Sequence, residues 1–122
     1  MADKKLAGQL IMKLFHARTN THVQHLQTRS YAQHVALGEF YDAVLDLADS
    51  FAECFIGKHG PMEFEGKYIQ SDQPIATLTE LRTWIEEKRS EVLDAKDSDL
   101  SNTLDEIVAL INQTLYKLRF LA

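Results

Sequence analysis

Apolar residues recur with the period of an α-helix along most of this chain, and the exceptions fall together. Leu6, Leu10, Leu14, Ala17 and Thr21 repeat at three- and four-residue steps, with Ile11 and Phe15 widening the stripe to one side. That spacing predicts a first helix over about 4–27. Ser30 followed by Gln33 reads as a Ser-x-x-Gln capping box, in which each side chain satisfies a backbone donor left open by the other. A second helix over about 31–56 follows, with a core stripe of Leu37, Phe40, Val44, Leu47, Phe51 and Phe55. Gly57 stands where a left-handed turn would end it. Thr77 with Glu80 predicts a second capping box, opening a third helix over about 78–95 that carries Leu78, Leu81, Ile85 and Val92. After the polar turn Lys96–Asp99, a fourth helix over about 100–121 presents Leu104, Ile107, Val108, Ile111, Leu115 and Leu118 on one seam.

Gly57, Gly60, Pro61, Gly66 and Pro74 all lie between the second and third periodic segments, a stretch with no sustained period in which Phe64 to Gln70 could form only a fragment of helix. The expected fold is therefore all-α, one domain over residues 1–122. Short, long and short connections suit a ferritin-like four-helix bundle with a long crossover between helices two and three. An up-down bundle with a loose middle loop satisfies the same lengths.

Composition narrows the function classes. A net charge of −5 over 122 residues argues against nucleic acid as a partner of the folded body. No apolar run is long enough to span a bilayer, so no membrane partner is expected. Cys54 is the single cysteine; it excludes an internal disulfide and favours a reducing, cytoplasmic setting. Between Phe51 and Phe55 it is expected as a small core residue.

Three of the five histidines, His22, His25 and His34, lie close together. No HExxH or Glu-x-x-His pattern occurs, which removes the zinc-peptidase signature and the usual in-bundle di-iron site. Glu39, Asp42, Asp46, Asp49 and Glu53 fall within roughly 80° of arc on the second helix. Like charges one turn apart repel, so the stripe is either a solvated face or a cation site. Beside it His34, Gly38, Leu45, Ala52 and Ile56 form a second apolar strip that needs a covering surface. His22 lies on the corresponding flank of the first helix, with Ile11, Phe15 and Leu26.

The stretch from Thr21 to Gly57 resembles the Dps or mini-ferritin family. The pattern that carries the resemblance is His22, then His34 twelve positions on, Asp49 fifteen further and Glu53 four after that. The look of Gln27–Phe40 is similar to small phage-encoded relatives, which would place the protein in the host cytoplasm. The resemblance implies a metal site of His22, His34, Asp49 and Glu53, shared between two subunits of a homodimer or higher homo-oligomer. His25 is the alternative first ligand, and Glu39 or Asp42 would substitute where Gly38 replaces a family aspartate. The implied metal is iron, and the implied reaction is ferrous oxidation by peroxide or dioxygen, with iron storage. The ligand set would also take manganese or zinc. The alternative is different in class: a non-catalytic helical interaction or assembly module that has kept the bundle and lost the metal chemistry, in which Asp42, Asp46, Asp49 and Glu53 are a solvated face and His34 packs in an interface.

Overall fold

A computed structural model describes residues 2–121 as four helices: α1 (Lys4–Gln27), α2 (Tyr31–His59), α3 (Pro74–Val92) and α4 (Ser98–Phe120), with no strand among the described residues. The all-α expectation holds. α1 packs against α2 and α3, and α4 packs against the same two, while the diagonal pairs α1/α4 and α2/α3 are not neighbours. Every adjacent pair is antiparallel. The Asp3 N–H at the start of α1 donates to the Val92 carbonyl at the end of α3, and Gln24 near the other end of α1 reaches Thr77. Lys117 near the end of α4 pairs with Glu39 of α2, and Arg89 of α3 pairs with Asp105 of α4. The core lies between the four: Leu10, Ile11, Leu14, Leu37, Phe40, Phe51, Phe55, Leu78, Ile85, Leu104 and Ile107 are all fully buried.

Local chemistry sets the boundaries, and it departs from the simplest reading at several ends. α3 stops at Val92 and not near 95, and α4 starts at Ser98, because the turn between them closes on Asp97, which accepts from the Asp94 N–H. Half of the first capping box forms, since Ser30 Oγ accepts from the Gln33 N–H at 3.2 Å. The Gln33 side chain turns instead to Thr28, whose hydroxyl donates to Oε1 at 2.8 Å and accepts from the Ser30 N–H. The second box does not form. α3 begins earlier, at Pro74, where a residue lacking an N–H and with φ already fixed suits the first turn. Thr77 lies inside the helix and donates to the Gln73 carbonyl. α2 runs past Gly57 to His59, and Gly60 at φ 93° ends it. The reason is tertiary: Lys58 and His59 are held in register by contacts with the α3–α4 turn.

Residues 60–73 form no helix, not even at 64–70, and lie along α1. An extended backbone carries donors and acceptors that need partners, and amide side chains of α1 supply them. Asn20 donates to the Ile69 carbonyl at 3.1 Å and accepts from the Ser71 N–H at 3.0 Å and the Tyr68 hydroxyl at 2.8 Å. Gln24 donates to the Ser71 carbonyl at 2.9 Å and to Thr77 Oγ1 at 3.1 Å. Both residues are buried. At the other end of α1 the two backbones come so close that a Cβ built on Gly8 would lie 1.7 Å from the Glu63 carbonyl oxygen.

Asp97 fastens the opposite end of the bundle. Its carboxylate is 1% exposed and meets Lys58 Nζ and His59 Nε2 at 2.8 Å, while the Asp94 N–H donates to its second oxygen at 2.8 Å. Burial pushes the acid upward, but the bonds from Lys58, the Asp94 backbone and His59 outweigh it and hold it down at about 2. The same contact raises the Lys58 ammonium.

Both contacts can be tested by substitution. Helix propensity alone favours Gly8→Ala by roughly 1 kcal/mol, whereas the clash with Glu63 has the opposite sign. Urea denaturation should show Gly8→Ala destabilised by about 2–3 kcal/mol; a stabilised variant would refute the contact. Asp97→Asn should cost about 2 kcal/mol near neutral pH. Because the folded carboxyl is depressed, its contribution is complete above an unfolded value of about 4 and disappears as pH falls toward 2. Wild-type stability should therefore fall across that window, and the Asp97→Asn variant should show a flatter decline.

Candidate functional site

The three clustered histidines meet where α1 ends and α2 begins. His25 Nδ1–H donates to the His34 carbonyl at 2.5 Å, and His34 Nδ1–H donates to the His25 carbonyl at 2.8 Å. Because both acceptors are carbonyls, the proton of each neutral ring sits on Nδ1. The rings stack at 3.7 Å between centroids and 17° between planes. The His25 carbonyl belongs to the last turn of α1, where no helical donor is available, so His34 acts as a side-chain cap across the turn. Gly38 makes room for this arrangement: a Cβ there would come within 3.0 Å of His25 Cε1. A side chain at position 38 would have to displace the His25 ring.

His22 has a different partner. Its ring stacks on Tyr41 of α2 at 4.2 Å and 14°, and the Arg18 guanidinium lies 5.9 Å from the same tyrosine ring. Tyr31 at the start of α2 lies 6.4 Å from His34, nearly parallel to it. Arg18, Tyr41, His22, His25, His34 and Tyr31 therefore form one run of planar groups along the α1–α2 seam. Part of the second apolar strip of α2 is consequently covered within the chain itself, at Gly38 by His25, and Ile11 of the matching α1 flank is fully buried.

The carboxylates lie elsewhere. Asp49 and Glu53 are exposed one turn apart in a shallow surface depression with Asp46, Ser50 and Cys54. Fifteen residues of straight helix separate His34 from Asp49, roughly 22 Å, so one chain cannot bring both to one ion. Glu39 and Asp42 are exposed, and Glu39 is engaged by Lys117 at 2.7 Å. Among the described residues no three His, Cys, Asp or Glu side chains come together as a metal site requires. Within one chain the residues do not fit iron, manganese or zinc. Cys54 departs from its expected place in the core: it is exposed on the acidic side of α2, because the helix turns it away from the face that buries Phe51 and Phe55.

Two features carry no signal in the sequence. Asp97 looks like one polar residue in a turn, since its partners Lys58 and His59 are remote in the chain. A cleft between α1, residues 67–71 and α3 gathers Lys13, His16 and Asn20 from one face of α1, Glu80 and Trp84 from one face of α3, and Lys67, sets that no local period relates to one another. No helix among the described residues is long and apolar enough to cross a membrane.

Comparison with known proteins changes the family assignment. The chain is 25% identical over 112 residues, covering 92% of its length and 87% of the other, to an uncharacterized 14.6 kDa protein in the mobD-ri intergenic region of Enterobacteria phage T4. That similarity supports the expected phage relationship. No solved structure matches the chain significantly. No Dps or ferritin family matches either, and a different family model covers residues 25–118. The mini-ferritin resemblance is therefore wrong: four residues at matching intervals occur here in a chain of another family, and two of them, His22 and His34, are engaged in packing the α1–α2 seam. The chain belongs to the family of unknown function DUF5856.

Proposed function

We propose that the chain is a non-catalytic helical assembly module that associates with a second copy through one end of its bundle. One observation carries this reading. Among the described residues, most of the exposed large hydrophobic side chains gather where α1 and α4 stop and α2 and α3 start. Leu26 is 71% exposed, Tyr31 80% and Phe120 72%, and Val35, Ile75, Tyr116 and Leu121 lie near them in the fold. The opposite end is closed by the Asp97 ion pairs. Exposed apolar side chains gathered in one place mark interaction surfaces more often than idle ones. Three of these side chains are aromatic, each able to bury roughly 150–250 Å². With the aliphatic ones, the patch reaches the order of the ~800 Å² per partner used by a standard interface. A two-fold pairing of two such ends closes the patch without leaving another exposed.

The return of residues 60–73 along α1 supports a ferritin-like connectivity for the bundle, as topology without iron chemistry. The free thiol of Cys54 supports a reducing, cytoplasmic setting, that of the host for a phage protein.

A divalent-cation site shared between two copies is the second reading. It is favoured by the Nε2 atoms of His25 and His34, which have no hydrogen-bond partner among the described residues while carbonyls hold Nδ1. That is how an outer-shell contact presents imidazole to a metal. Asp49 and Glu53 would come from the partner copy.

Sedimentation equilibrium at tens of micromolar should return a dimer or larger assembly for the wild type. Tyr31→Glu and Phe120→Glu should each give monomers with unchanged helical circular dichroism. A monomeric wild type would exclude both readings. Ferrous iron added anaerobically and then oxidised with peroxide separates them: the module predicts equal ferric absorbance for wild type, His22→Ala, His34→Ala and Glu53→Ala. Uptake lost in the variants would instead establish the shared site.

A further inference from the structure

The cleft between α1, the segment 67–71 and α3 encloses about 420 Å³, within the range of small-molecule sites. Its composition differs from that of the chain. The protein carries a net charge of −5, yet the cleft is lined by Lys13, Lys67 and His16 against one carboxylate, Glu80. Neither lysine has an acidic partner among the described residues. Lys13 is instead held 5.3 Å from the centre of the Trp84 ring, an arrangement that fixes an ammonium beside an indole. Burial, and then the charge of Lys13, hold the His16 imidazole below its ordinary range, so at neutral pH it lines the cleft as a neutral group able to hydrogen bond. Leu81 and Ala17, both nearly buried, complete the apolar lining.

Two unpaired ammonium groups match a doubly charged anion, since each alone neutralises one charge. The indole and the apolar surface match a flat ring. We infer that this cleft is a binding site for a small phosphomonoester bearing an aromatic ring, with Lys13 and Lys67 on the phosphate and Trp84 and Leu81 against the ring. The inference is independent of self-association, because none of these residues belongs to the apolar end of the bundle. Glu80 opposes the phosphate and limits affinity.

Trp84 is the only tryptophan, so intrinsic fluorescence reports on the cleft directly. Adenosine monophosphate should quench or shift it saturably, with a Kd below about 1 mM. Adenosine and inorganic phosphate should each bind at least roughly tenfold more weakly, because each lacks one half of the match. The double variant Lys13→Ala/Lys67→Ala changes only exposed side chains; it should weaken binding by at least about tenfold with unchanged circular dichroism, and Glu80→Gln should tighten it. Absence of saturable binding by adenosine monophosphate, binding unchanged in the double variant, or equal binding of inorganic phosphate alone would each overturn the assignment.

Discussion

An extended segment cannot lie on a helix unless its backbone polar groups are satisfied, and in this protein α1 satisfies them. Asn20 and Gln24 hold the carbonyls of Ile69 and Ser71 and the Ser71 N–H, and Gly8 lets the start of the segment lie directly on the helix backbone. The position of α3 depends on this contact. Because the chain returns along α1 before α3 begins, α3 runs antiparallel to α1, and every neighbour in the bundle is antiparallel. The cleft with Lys13, Lys67 and Trp84 is a consequence of the same contact, since its walls are α1, α3 and the returning segment.

The histidines show how one set of residues can serve two kinds of chemistry. Imidazoles near carboxylates in sequence read naturally as ligands. In the folded chain His25 and His34 exchange Nδ1–H bonds with each other's carbonyl and stack, and His22 lies against Tyr41. These contacts bind the end of α1 to the start of α2, and the bond from His34 meets a need that any tight helical turn has, a donor for the last carbonyls. Spacing along the chain does not distinguish a ligand from a cap, because both need the side chain on the face turned to the neighbouring helix.

Charge is distributed unevenly in the folded molecule. Acids of α2 face solvent, one buried acid, Asp97, is compensated by Lys58 and His59, and two lysines without acidic partners line a cleft. The buried acid stabilises the end where α2 meets the α3–α4 turn, and most of the exposed large apolar side chains lie at the other end. The bundle is thus polar and fastened at one end and apolar at the other, an asymmetry that net charge and mean composition conceal.

Helical periodicity was legible: the apolar stripes of α1, α2, α3 and α4 are set by a local repeat, and burial of Leu10, Phe40, Ile85 and Ile107 follows from it, while Leu6, Leu47 and Val108 at the edges of their stripes are only partly buried. That Glu39, Asp42, Asp46, Asp49 and Glu53 share one face opposite the core was readable for the same reason. Tertiary structure decided what depends on residues distant in sequence. Gly60 and not Gly57 ends α2, because contacts of Lys58 and His59 with Asp97 extend the helix. Gly8 is glycine because residue 63 lies on it, and Gly38 because His25 does. The sequence by itself determined where the four helices lie, short of their ends, and which face each buries, since both are governed by interactions within one or two turns. Only the folded chain decided which helix ends meet, which histidine faces which carbonyl and which charges share a cleft, because those contacts join segments that no local period relates.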